Sequence, residues 1–200
     1  MIQLCDISFE YGKKTVFSHL SLSVKKGERV ALMGPSGCGK STLLQLIAGL
    51  ERLSGENGTL SVNAQKIAYA FQEPRLFPWL TVEKNLEPIL PDGTDKRVIK
   101  ETLAALDLID VAPLYPDQLS GGMASRVSLA RALLYDADLI LLDEPFTALD
   151  KETKEGIIPY LKETFAKKNA TVLLVTHQNT EAEALCDRVL NFEELLPKTE

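Results

Sequence analysis

The chain has 200 residues, 45% of them hydrophobic and 25% charged, with a formal net charge of −6. That length suits one domain with a sizeable core and excludes two full-sized ones. Ordinary globular composition, an acidic balance and no run of five or six like charges argue against a disordered chain and against a nucleic-acid partner.

The N-terminal MIQLCDISFEY carries Asp6 and Glu10 and lacks a basic segment followed by a long apolar stretch, so it does not read as an export signal. Ile2, Leu4, Ile7 and Phe9, then Leu20 to Val24 alternating with Ser21 and Ser23, predict half-buried strands of an antiparallel layer. Val30 to Met33, Ile67 to Phe71, Leu139 to Leu142 and Thr171 to Val175 are nearly continuous apolar runs. Such runs predict strands covered on both faces, as in a parallel sheet sandwiched by helices. Leu43, Leu46, Ile47 and Leu50 keep helical spacing between them, as do Ile99, Leu103 and Leu106. Pro74, Pro78, Pro88, Pro91, Pro113 and Pro116 punctuate residues 73–118, which read as a small, mainly helical subdomain inserted into the α/β core. The closing NFEELLPKTE reads as a last strand or helix fragment with a polar tail.

The expected architecture is a single α/β domain over residues 1–200, with a mainly parallel sheet, an N-terminal antiparallel layer and the inserted helices. No apolar run approaches the roughly 18 residues of a membrane span. Cys5, Cys38 and Cys186 are odd in number and far apart, which argues against a disulfide framework or a zinc site and for a cytosolic setting.

Each apolar run ends in chemically useful residues: Gly34 to Lys40, Gln72, Asp143-Glu144 and His177. Ligands of open α/β sheets bind outside the carboxyl ends of the strands, so these four endings predict one shared site. Gly34-Pro35-Ser36-Gly37-Cys38-Gly39-Lys40-Ser41-Thr42 fits G-x-x-x-x-G-K-[ST] between a strand and a helix. In that context the backbone N–H groups cradle phosphate oxygens, Lys40 reaches the β and γ phosphates, and Ser41 supplies an oxygen to Mg²⁺. Asp143, at a strand end, suits a second metal position, and Glu144 can activate an attacking water. A lone Gln is usually surface and a lone His usually structural; the positions of Gln72 and His177 favour function. Cys38 reads as a space-filling residue inside the loop. A second glycine-rich helix start, Ser120-Gly121-Gly122, also has the form of an anion site. Whether it binds a ligand or only caps its own helix stays open on residues alone.

In this order the motifs resemble those of the ATP-binding subunits of ABC transporters, across essentially the whole chain. Tyr11 stands where the family has its adenine-stacking aromatic, Gly34 to Thr42 resembles Walker A, and Gln72 the Q-loop. Leu119 to Met123 is similar to the signature motif, Leu139 to Glu144 to Walker B, Ala148-Leu149-Asp150 to the D-loop, and His177 to the switch. The resemblance implies ATP and Mg²⁺ as cofactors, with Ser41, Gln72 and Asp143 at the metal and Glu144, His177 and Gln72 in catalysis. It also implies two subunits stacked head to tail, so that Ser120, Gly121 and Gly122 of one cap the nucleotide in the phosphate loop of the other. The partner would be a second copy or a paired ATP-binding subunit, with transmembrane permease subunits and, indirectly, a solute-binding protein. That places the chain peripherally, at the cytoplasmic face of a membrane. Met123 departs from the glutamine usual in the signature.

FQEPRLFPWLTVEKNL, from Phe71 to Leu86, looks like the branch importing nitrate, alkanesulfonates and taurine. Leu76, Phe77 and Trp79 read either as a permease-binding groove or as subdomain core. Two other function classes remain. A soluble P-loop phosphotransferase such as a nucleotide kinase is opposed by the signature motif. A non-transport ABC clamp or scaffold would be expected to carry a coiled-coil insertion, a second cassette or a basic surface.

Overall fold

The computed structural model describes residues 1–53 and 58–197. Strands β1 (Ile2–Tyr11), β2 (Lys14–Val24) and β4 (Thr59–Val62) form an antiparallel sheet in the order β2-β1-β4. The inward side chains of β1 are spaced unevenly, with three steps from Leu4 to Ile7 where a regular strand takes two. The register explains this: Leu4 faces Leu22 but Ile7 faces Leu20, so a bulge in β1 returns its apolar residues to the core side.

The larger sheet is wholly parallel, in the order β5-β6-β7-β3-β8, from β3 (Arg29–Met33), β5 (Ile67–Ala70), β6 (Leu139–Asp143), β7 (Thr171–Val175) and β8 (Arg188–Asn191). Its central strands separate two hydrophobic clusters. Leu139, Leu141, Leu173 and Val175 face a core shared with β1, β2 and helix α1 (Lys40–Ile47). Ile140, Leu142, Val172 and Leu174 face a core shared with the remaining helices. Alternation therefore delivers every side chain of these strands to apolar surroundings, which is why they read as unbroken runs.

Helix α2 (Val82–Leu86) and α3 (Arg97–Ala105), with short 3₁₀ turns at Glu87–Ile89, Ile109–Val111 and Pro116–Gln118, occupy the proline-punctuated stretch. They pack on α4 (Gly121–Leu134), and Val82, Leu86, Ile99 and Leu103 join the same cluster as one face of the large sheet. Buried Asn85 holds the chain before α2: its side chain accepts from Phe77 N–H at 2.7 Å and donates to the carbonyls of Phe77, Leu80 and Thr81.

Helix α5 (Lys151–Lys168) and α6 (Asn179–Leu185) complete the layers. One expectation needs correction. α1 stops at Ile47, because Gly49 (φ 73°) turns the chain in the left-handed region, and Leu50 falls beyond the helix, 57% exposed. The C-terminal stretch is a helix fragment after the last strand: Asn191 ends β8 and Phe192–Leu195 is a 3₁₀ helix that buries Phe192. Of the polar tail, residues 198–200 lie outside the described residues. No helix among the described residues is long and apolar enough to cross a membrane.

Candidate nucleotide site

The β3–α1 turn opens a cleft of about 340 Å³, lined by Tyr11, Lys14, Thr15, Val16, Ser36, Gly37, Gly39, Lys40, Ser41, Thr42, Gln72 and Glu144. Nine of the residues singled out from the sequence therefore share one cavity at the carboxyl end of the parallel sheet. Gly39 stands at the cap position before α1 and offers no side-chain cap, leaving first-turn N–H groups for a ligand. Lys40 is buried, and its ammonium donates to the carbonyls of Gly34 at 2.8 Å and Pro35 at 2.7 Å. The loop thus folds around the cation that would otherwise meet phosphate. Cys38 packs inward against the core of β1 and β2, as a space-filling residue does.

Asp143 lies behind this loop, 3% exposed at the end of β6. It accepts hydrogen bonds from Ser41 Oγ at 3.0 Å and Tyr69 OH at 3.2 Å, one on each carboxylate oxygen. Burial pushes its pKa up; the Ser41 and Tyr69 hydrogen bonds oppose that, and the Glu144 charge adds to it. Burial and the Asp143 charge push the Tyr69 hydroxyl well above its ordinary pKa, so it remains a donor. The Ser41 hydroxyl, the Asp143 carboxylate and the Gln72 amide oxygen are hard oxygen donors of the kind Mg²⁺ takes beside substrate phosphates. The juxtaposition of Ser41 and Asp143 fits that use. Among the described residues no cluster of three or more His, Cys, Asp and Glu could hold a metal without such help.

Glu144 adopts φ 47°, a left-handed conformation that costs a non-glycine residue roughly 1–3 kcal/mol. It is held there by its N–H, which donates to Val175 O at 2.9 Å, and by Thr147 Oγ1, which donates to Glu144 Oε2 at 3.2 Å. The kink turns its carboxylate into the cleft while Asp143 stays in the sheet. His177, exposed just beyond β7, places Nδ1 3.7 Å from Glu144 Oε2. Together with Gly34 and Pro35, His177 lines a second cavity. Tyr11, 48% exposed at the cleft, donates its hydroxyl to Glu51 Oε1 at 3.1 Å.

Ser120, Gly121 and Gly122 do not join this cleft. Ser120 caps α4, accepting from Met123 N–H at 3.2 Å, and Gly121 and Ser120 are exposed. The cap reading is therefore realised, and none of the three residues lines the cleft of the chain's own phosphate loop. Met123 packs partly buried against the helical core. Phe77 and Trp79 are exposed, 43% and 69%, with ring centroids 5.6 Å apart, while Leu76 packs on the core.

Sequence reasoning missed Tyr69, Lys14, Thr15, Val16 and Thr147. For Tyr69 the one available signal was alternation along β5, which puts it on the same side as Phe71; the rings stack with centroids 4.0 Å apart.

An open parallel sheet whose first β–α turn is such a loop places the molecule among P-loop nucleotide-binding proteins. Within that class the chain belongs to the ABC transporter family, whose profile matches residues 17–147. It is 44% identical over 176 residues to the aliphatic sulfonates import ATP-binding protein SsuB 2 of Pseudomonas syringae pv. tomato, covering 88% of this chain and 75% of that protein. To the protein of that kind in Bacillus subtilis it is 43% identical over 179 residues, covering 85% and 69%. Among solved structures it resembles the ATP-binding cassette MJ0796 in a dimeric post-hydrolysis state bound to ADP and Pi, with TM-score 0.84 and 31% identity over 96% of this chain and 94% of that one.

Proposed function

We propose that this chain is the ATP-binding subunit of an importer of aliphatic sulfonates and similar small solutes, working as a head-to-tail dimer beneath a permease. The observation that carries the mechanism is the separation of two phosphate-type sites on one chain. One is a cleft equipped with Lys40, Ser41, Asp143 and Glu144. The other is a helix N-terminus, Ser120 to Gly122, with donors and no charged group of its own. A helix start of that kind completes an anion site more readily than it founds one.

The triphosphate of ATP is held by the loop N–H groups and Lys40, with Tyr11 against the base. Mg²⁺, when bound beside Ser41, Asp143 and Gln72, neutralises charge on the phosphates. Glu144 accepts the proton of the attacking water, and His177 meets the γ-phosphate from beside Glu144. Gln72 begins the segment that carries exposed Phe77 and Trp79, which suits it to link the site with a permease. The sulfonate assignment is supported by the names of the relatives together with the stretch from Phe71 to Leu86. It is tested by co-purifying the chain with its permease and measuring ATP-driven uptake into vesicles. Alkanesulfonate uptake that is lost in Glu144→Gln is expected; nitrate uptake without uptake of any aliphatic sulfonate, taurine included, overturns the solute, and full uptake in the Glu144→Gln variant overturns the role of Glu144.

A further inference from the structure

Among the described residues one ion pair has both side chains almost inaccessible, and it lies outside the cleft. Lys154 Nζ donates to Glu181 Oε1 at 3.0 Å, with the side chains 12% and 5% exposed. A buried ion pair is weak evidence for stability, since its desolvation offsets its attraction, and its best-attested use is to fix a register. What this one fixes is visible on its other oxygen. Glu181 Oε2 accepts a short hydrogen bond from Thr176 Oγ1, and the same hydroxyl accepts from Gln178 N–H at 3.1 Å. The residue enclosed between Thr176 and Gln178 is His177.

The Thr176 hydroxyl thus links the backbone after the histidine, through Gln178 N–H, to one buried carboxylate, and that carboxylate is tied to α5. Lys154 sits in the first turn of α5, whose cap Asp150 accepts from Thr153 N–H at 2.9 Å. The segment leading from Glu144 into that cap brings the Ala148 carbonyl against Gly122, within 2.8 Å of where a Cβ would stand. Glu144, the start of α5, the base of the second phosphate-type site and the loop of His177 are therefore one packed unit.

We infer that Thr176, Glu181 and Lys154 are positioning residues for the hydrolytic reaction: they act through His177 and set its place beside Glu144. This rests on the reading of the cleft as an ATP-hydrolysing site. Backbone bonds from Thr176 N–H to Leu32 O and from Ala182 N–H to Gln178 O also hold the flanks of exposed His177, so losing the tie would loosen rather than free it; a displacement of about 1 Å at a reacting centre costs on the order of a hundredfold in rate.

The test is Thr176→Val, which keeps the shape and removes the hydroxyl, against Thr176→Ser, which restores it. In the full chain with MgATP, Thr176→Val is expected to lower kcat about tenfold or more with the KM for ATP within about twofold, and Thr176→Ser to recover kcat, the signature of a group acting only in the transition state. The protein has two histidines, so the imidazole ¹⁵N resonances of His177 can be followed directly; they shift or broaden in Thr176→Val and not in Thr176→Ser. Should Thr176→Val not fold, the double variant Lys154→Met with Glu181→Met removes both buried charges and carries the same expectation. Wild-type kcat in either variant, equal loss in Thr176→Val and Thr176→Ser, or a parallel loss of ATP affinity overturns the inference. A wild-type chain that neither binds nor hydrolyses ATP overturns instead the reading on which it rests.

Discussion

Asp143 shows how much of this site is decided by a single side chain's surroundings. A carboxylate taken out of water is costly unless hydrogen bonds replace its hydration, and here Ser41 and Tyr69 supply one each. Ser41 was legible, because it belongs to a spaced motif whose chemistry requires a hydroxyl after the lysine. Tyr69 was not, because nothing in an apolar strand distinguishes a tyrosine that packs from one that donates. The Tyr69 ring is held by Phe71, which in turn carries the Arg75 guanidinium 4.0 Å from its centroid. Removing only the hydroxyl, in Tyr69→Phe, leaves one oxygen of a buried carboxylate unpaired, at a cost of about 1–3 kcal/mol. The expected result is a lower Tm of the nucleotide-free chain and weaker binding of MgATP, with binding of ATP in the absence of Mg²⁺ much less affected. Calorimetry with and without the metal measures the difference; equal loss in both would detach Tyr69 from the metal-holding role proposed for Asp143.

At the scale of elements, a clear apolar pattern was legible whether the element is covered on one face, as in β1, β2 and α3, or on both, and elements with a weak pattern were not. β3, β5, β6 and β7 stood out because both faces of each are covered. β8 is an edge strand whose residues are all at least partly exposed, so it carries no apolar signature. α5 places three buried side chains, Ile157, Leu161 and Phe165, on 18 residues and includes Pro159, a weak stripe with a helix breaker inside it. The start of α4 was readable as a helix cap, but its two glycines have different reasons that only packing separates. A Cβ on Gly122 would lie 2.8 Å from the Ala148 carbonyl, a backbone atom with no freedom to yield, whereas one on Gly121 would meet the Ala148 side chain at 3.9 Å. Gly121→Ala should therefore be tolerated by the fold and can gain up to about 1 kcal/mol from helix propensity. Gly122→Ala should lower the Tm, and it should lower ATP turnover further by displacing the segment between Glu144 and Asp150. Thermal melts and steady-state hydrolysis on the two variants decide this; equal Tm values would mean that α4 and Ala148 are not in contact in solution.

For the whole molecule the decisive feature is that one chain holds Lys40, Ser41, Asp143 and Glu144 in one place and a glycine-rich helix N-terminus, Ser120 to Gly122, in another. The wide cleft leaves Tyr11 and Gln72 exposed, and Ser120 and Gly121 remain exposed even though Ser120 caps its own helix. In the proposed arrangement two copies facing each other in opposite directions would use both features in the same contact, each bringing a helix N-terminus to the other's nucleotide. Dimer stability should then follow nucleotide concentration by mass action, and hydrolysis should weaken it. Glu144→Gln separates the two effects: the amide keeps the shape of the site but cannot accept the water's proton, and loss of a general base costs typically 10²–10⁴-fold in rate. With MgATP that variant should therefore bind nucleotide, turn over very slowly and elute at twice the 22.1 kDa of one chain. With ADP, or with Ser120→Glu added to place a like charge against the phosphates, it should remain a single chain. Light scattering on the eluting species reads the mass directly; a monomer at saturating MgATP, or a dimer equally stable with ADP, would mean that the second set of donors does not face a neighbouring nucleotide.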